Sequence, residues 1–233
     1  PGGRHPYHPA YCFETGMVPL LDFPLRGVAW YQGESNAHNP DSWRFDLLAR
    51  SWRMRTGDIS LPFYIVQLSG IERPSWPWLR NTQRLAQRSV FATQMVVTSD
   101  LGLRHDVHPP YKRPVGERLA QSMLRHTYGR STSPVSPEVG QQSSVKDDRV
   151  ELDLREAQGL HGSDGQPLRG FEIAGADELF YPATVQLDAE GKVQLRSSEV
   201  AKPCYVRYGW QPFPTCNVVN AAGLPLGTFR IRL

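Results

Sequence analysis

Arg26–Tyr31 (RGVAWY), followed at once by Gln32-Gly33-Glu34-Ser35-Asn36, is the stretch on which the fold turns. A short apolar run ending in a polar, glycine-containing segment reads as a buried strand that delivers a loop. Two further runs share its character, Pro62–Leu68 (PFYIVQL) and Gln94–Ser99 (QMVVTS). Between them, the apolar residues of Ser42–Met54 and Trp78–Val90 recur at three- and four-residue intervals, which predicts helices. A third helix is expected to begin near Pro114 and to end before Gly129, with proline in the first turn and glycine past the last. Strand–helix alternation predicts parallel strands joined by crossover helices, an α/β layer structure.

The texture changes near residue 130. After Ser131–Pro137 (STSPVSP) the pattern is all-β, with Val150–Leu154, Thr184–Leu187, Lys192–Arg196 and Tyr205–Trp210 alternating at period two. Asp188-Ala189-Glu190-Gly191 suits a hairpin turn between the middle pair. Residues 1–130 are therefore expected to form the α/β part and residues 131–147 a linker. Residues 148–233 are expected to form an antiparallel β-sandwich or jelly roll.

Composition excludes several classes. The 233 residues are 39% hydrophobic and 10% aromatic, enough for a sizeable core and too apolar for wholesale disorder. A net charge of +3, spread among 26 basic and 23 acidic residues, leaves no nucleic-acid footprint. No run approaches the roughly 18 apolar residues of a membrane span. The first residue is Pro1, so the lack of a targeting segment carries no information. Cys12, Cys204 and Cys216 have no metal-binding spacing. The last two either pair in an oxidising compartment or are buried free thiols.

Ligands of open α/β sheets bind beyond the carboxyl ends of the strands, where two loops are rich in reactive groups. In the first, Gly33 permits a close backbone approach, and Gln32 and Asn36 offer neutral amide donors suited to a developing oxyanion. Glu34 can orient a neighbouring donor, and the alternative is a polar turn capping the next helix. Gly33-Glu34-Ser35-Asn36-Ala37 also resembles a nucleophile elbow at Ser35, but His38, Asn39 and Pro40 intervene before any helix. The second loop, Asp100–Pro109 (DLGLRHDVHP), carries His108 as a candidate general base beside Asp106. Asp106 or a backbone carbonyl steers its tautomer; a surface-loop histidine is the alternative. His105, Asp106 and His108 lack the geometry of a helical metal-binding pair, and no metal or cofactor is expected. Trp76, Trp78 and Trp210 are either sugar-stacking platforms or core residues. Lys112 and Arg118 either hold a substrate carboxylate or line a solvated helix face.

Several of these segments together resemble the sialate O-acetylesterase family of SGNH-type carbohydrate esterases. They are Gly27–Ala37 (GVAWYQGESNA), Pro62–Leu68, Trp78–Gln83 (WLRNTQ), Asp100–Ala120 (DLGLRHDVHPPYKRPVGERLA) and Tyr205–Arg230. The resemblance implies part of an SGNH, flavodoxin-like three-layer core followed by a β-sandwich. It implies serine-esterase removal of acetyl groups from sialic acids or related sugars, with His108 as base, Gln32, Gly33 and Asn36 around the oxyanion, and Glu34 in support. The family's G-Q-S-N nucleophile segment is missing; Gly140-Gln141-Gln142-Ser143 lies after His108. The chain is therefore expected to be the C-terminal portion of a longer protein, with the nucleophilic serine on the N-terminal portion and the isolated chain inactive. His105 stands where related enzymes carry their acid, so a Ser–His dyad is expected, leaving Asp106 in doubt as triad acid. An exported setting (periplasmic, extracellular or lysosomal) follows by the same likeness. The competing readings are a non-catalytic carbohydrate-binding or structural fragment and a hydrolase using Ser35.

Overall fold

The computed structural model describes residues 5–188 and 190–233. Three parallel strands, β1 (Val28–Trp30), β2 (Phe63–Gln67) and β3 (Thr93–Val97), pair in chain order. Register runs Val28↔Phe63↔Thr93 to Trp30↔Ile65↔Met95. All five residues of β2 are buried, as a central strand covered on both faces requires. Helices α1 (Ser42–Thr56) and α2 (Trp76–Ser89) form the crossovers, and α3 (Arg113–His126) follows β3.

Alternation along β2 assigns the faces. The Phe63 ring meets Phe45 and Trp52 of α1 edge-on, and the Gln67 amide donates to the Arg80 carbonyl of α2. Tyr64 points the opposite way, its hydroxyl 2.5 Å from Thr127 Oγ1 just past α3. Helices thus cover both faces, as the alternating pattern predicts.

Two short strands lie inside the stretch read as a linker: β4 (Glu138–Val139) and β5 (Ser144–Lys146). They pair with β7 (Leu154–Arg155) and β6 (Arg149–Leu152) respectively, so the β-rich part begins near residue 138. The remaining strands are β8 (His161–Gly162), β9 (Phe171–Ala174), β10 (Phe180–Pro182), β11 (Thr184–Leu187), β12 (Val193–Arg196), β13 (Tyr205–Tyr208), β14 (Val218–Val219) and β15 (Phe229–Arg232).

They make two four-stranded antiparallel sheets, ordered β10-β9-β13-β15 and β11-β12-β6-β5. Ile173, Val206 and Phe229 of the first share one core with Val150, Leu152 and Leu195 of the second. The expected 188–191 turn joins β11 to β12, with Asp188 Oδ1 accepting from the Glu190 and Lys192 amides. Its residue Ala189 lies outside the described residues.

The α/β part and the β-rich part are locked together by polar side chains of the former. Gln67 exchanges two hydrogen bonds with the Thr228 backbone, at 3.1 and 3.0 Å. Arg80 donates to the carbonyls of Gly209, Gln211 and Pro212. Asn81 accepts from the Arg230 amide, and Arg84 donates to the Arg230 carbonyl. Trp76 and Trp210 are buried in this region, which removes them as sugar platforms; Trp78 stays exposed but meets Trp210 edge-on, 5.0 Å between centroids. All three cysteines are free, so Cys204 and Cys216 form no disulfide. No described helix is long and apolar enough to cross a membrane.

Candidate active site

The strand β1 hands its chain to a tight turn. Gly33 has φ +138°, and Glu34–Asn36 then form a single 3-10 turn closed by the Asn36 amide on the Gly33 carbonyl at 2.8 Å. The Gln32 amide nitrogen donates to Asn36 Oδ1 at 2.8 Å. That contact consumes the acceptor of the Asn36 amide and leaves its Nδ2 as the outward donor. From α2, Gln83 Nε2 donates to the carbonyls of Gln32 and Val66 while its Oε1 accepts from the Leu68 amide. One buried glutamine therefore fixes the carboxyl ends of β1 and β2 together.

Gly33 is required by conformation more than by space. An added Cβ would meet Leu79 and Leu68 methyls at 3.5–3.7 Å, ordinary contact, but at a φ that other residues rarely adopt. Gly33→Ala is expected to cost about 1–3 kcal/mol, read as a lower urea midpoint, through backbone strain alone.

The loop after β3 is held from several sides. Arg118 of α3 grips Asp100 with two hydrogen bonds, 2.7 and 2.6 Å, and donates to the Val97 carbonyl. Arg118 is thus committed to the loop and is not available to hold a substrate carboxylate. Gly102 passes so close to Gly70 that a Cβ would fall 2.0 Å from the Gly70 carbonyl oxygen. The Glu72 amide donates to the Arg104 carbonyl, and the two side chains pair. Lys112 places its ammonium 5.0 Å above the Tyr31 ring.

On this frame Asp106 Oδ1 accepts from both the backbone amide and ring Nδ1 of His108, at 2.8 and 3.0 Å. The double contact holds the Asp106 carboxyl below the ordinary aspartate range, the backbone amide being the larger cause. A neutral imidazole donating from Nδ1 keeps its lone pair on Nε2, and the side chain is 84% exposed. Sequence spacing left open whether Asp106 or a carbonyl would meet this ring; the carboxylate does.

The two loops share a foundation. Val107, next to His108, packs with Tyr31 against the buried cluster of Ala37, Leu68, Ile71, Trp76 and Leu79. Tyr31 and Ala37 bracket the amide-bearing turn, so one apolar patch supports both candidate loops. Ser35 is exposed within the 3-10 turn, and α1 begins only at Ser42, so no helix follows it directly as a nucleophile elbow requires. His105 is exposed. Among the described residues no group of three or more His, Cys, Asp and Glu side chains is placed to hold a metal ion. Gln67, Arg80 and Gln83 went unnoticed as positioning residues, although Arg80 and Gln83 belong to the WLRNTQ segment.

An α/β core that carries an amide-bearing turn and an imidazole–carboxylate pair beyond the carboxyl ends of β1 and β3, the parallel strands flanking β2, has its polar loops where open α/β sheets bind ligands. Comparisons make the class specific. Residues 16–125 match the family described as carbohydrate esterase, sialic acid-specific acetylesterase. The crystal structure of a carbohydrate acetylesterase from Xanthomonas citri, described as novel, superposes with a TM-score of 0.83 at 37% sequence identity. That match covers 91% of this chain and 52% of the other, so the chain spans about half the length of that protein. Comparison with curated proteins gave no match. Over residues 16–125 the chain is thus similar to the sialic acid-specific acetylesterase family of carbohydrate esterases.

Proposed function

We propose that this chain supplies the general base and oxyanion side of a carbohydrate O-acetylesterase whose nucleophilic serine lies on an N-terminal portion of the same protein. The observation that carries the reading is the exposed His108 ring, held through Nδ1 by Asp106 on a loop whose Val107 packs on the same apolar cluster as Tyr31 and Ala37, which bracket the Gln32–Asn36 turn. His108 Nε2 takes the serine proton as the hydroxyl oxygen attacks the acetyl carbonyl. The carbonyl oxygen, becoming an oxyanion, receives the Asn36 Nδ2–H and a neighbouring backbone N–H of the Gly33 turn. His108 then passes its proton to the departing sugar oxygen. Water, deprotonated by the same ring, cleaves the acetyl-serine and releases acetate.

The substrate proposed is an O-acetylated sialic acid or a related acetylated sugar. Glu34 supports the turn, the β-rich part is read as a sandwich bracing the esterase core, and an exported location goes with the same reading. A fluorophosphonate probe on the full-length protein is expected to label a serine upstream of this chain, with acetate released from O-acetylated sialic acid. Labelling of the 233-residue chain at Ser35, or no acetate from the full-length protein, overturns it.

A further inference from the structure

Behind the Gln32–Asn36 turn lies a cavity of about 360 Å³ between α1 and α2, in the range of small-ligand pockets. Gln32, Gly33 and Asn36 border it. One side of it is hydrocarbon, with Ile65, Leu79 and Ala86 buried there beside Trp30, Phe45 and Leu48, while Asn39, Asp41, Ser42, Arg44 and Thr82 bring polar groups to the rest of the lining. The Gln83 amide, which also borders it, is spent on Gln32, Val66 and Leu68. A sugar ring laid against the Ile65, Leu79 and Ala86 side would bury hydroxyls with few partners, an unfavourable transfer. A hydrocarbon chain meets no such cost.

We propose that this chamber takes the acyl chain of the ester, and that it accepts acyl groups longer than acetyl, such as butyryl and hexanoyl. The inference rests on the esterase reading above, because it places the scissile carbonyl at Asn36 Nδ2 with the acyl carbon directed inward. An acetyl methyl uses only the entrance of the chamber. Each further methylene buried there adds about fourfold to affinity until the space is full.

The test uses the 233-residue chain with labelled methyl groups, titrated in NMR with sodium acetate, butyrate and hexanoate, the carboxylates that hydrolysis would release. The expected result is binding that tightens with chain length and moves the Ile65 and Leu79 methyl signals. Thr82→Trp, which fills the chamber from α2, and Leu48→Phe, which narrows it from α1, are both expected to weaken hexanoate at least tenfold. Equal affinity for acetate and hexanoate, shifts located elsewhere, or hexanoate binding unchanged in folded Thr82→Trp and Leu48→Phe overturns the chamber. Hexanoate binding with no ester hydrolysis by the full-length protein leaves the chamber standing and removes the esterase reading. Acetyl-ester hydrolysis without hexanoate binding does the reverse.

Discussion

Full-length protein carrying His108→Ala is expected to release acetate about 10²–10⁴-fold more slowly than the parent, the range for a positioned general base. The loss should fall on kcat more than on KM, because the imidazole acts on a proton that moves only as the transition state forms. The ring is 84% exposed, so no packing is lost with it, and the urea midpoint of the variant should match the parent. Equal acetate release would remove His108 from the mechanism. Asp106→Asn is expected to cost less than His108→Ala. It keeps an oxygen for the His108 amide but loses the charge that favours Nδ1–H, and that charge is itself solvent-screened. The sign of its pH dependence follows from the lowered Asp106 carboxyl. The stabilising contact is fully present above the unfolded aspartate pKa, about 4, and is lost as pH falls through the lower folded value. Parent and Asp106→Asn should therefore differ at every pH above about 4 and converge only below it.

The parts of this structure that sequence made legible are those with a periodic apolar signal. β2 reads as a strand because Phe63–Gln67 is almost continuously apolar, and α2 because its apolar positions fall on one face. β4 and β5 gave no such signal. Glu138–Val139 has two residues, and Ser144–Lys146 is exposed throughout, so neither contributes an alternating buried face. The His108 loop is legible from its residue types and its place after a strand, but spacing leaves open whether Asp106 or a carbonyl meets the ring. Side chains two apart in an extended chain are held apart, and Asp106 reaches the ring because the chain turns here. Asp106 accepts from the His108 backbone amide, and that turn folds the ring back onto the same oxygen. Residue type alone leaves Trp76 and Trp210 as platforms or core residues; Trp76 is buried with Leu68, Ile71 and Leu79, its indole donating to the Ser69 carbonyl, and Trp210 of the β-rich part is buried against Trp78 of α2. The polar residues that create that docking have no periodicity to read. Gln67 sits in an apolar run, and its partner Thr228 lies near the far end of the chain.

Arg80→Met is the substitution expected to damage the fold most. Arg80 is 0% exposed at the centre of the junction, and its guanidinium answers three carbonyls of the 209–212 segment rather than a carboxylate. Burial pushes its pKa down to about 10, so the group remains a cation at neutral pH and its charge is met only by backbone dipoles. Methionine restores most of the apolar volume and removes the cost of burying a charge, which argues for a mild effect. Against that, the Gln211 carbonyl loses a donor that no other described group replaces, at about 1–3 kcal/mol where no water reaches it, while Gly209 and Pro212 keep the Thr228 hydroxyl and the Ile71 amide. The second effect wins, because the Gln211 carbonyl is stranded and the Gly209 and Pro212 carbonyls each lose one of two donors. The net loss should be about 1–3 kcal/mol, read as a lower urea midpoint with an unchanged m-value. Arg80→Lys should recover little, since one ammonium on a flexible stem lacks the planar fork that reaches several carbonyls at once. A loss below about 1 kcal/mol for Arg80→Met would show that the Gln211 carbonyl also finds another donor. The junction would then be held chiefly by the Gln67–Thr228 pair and the apolar contacts around Trp210.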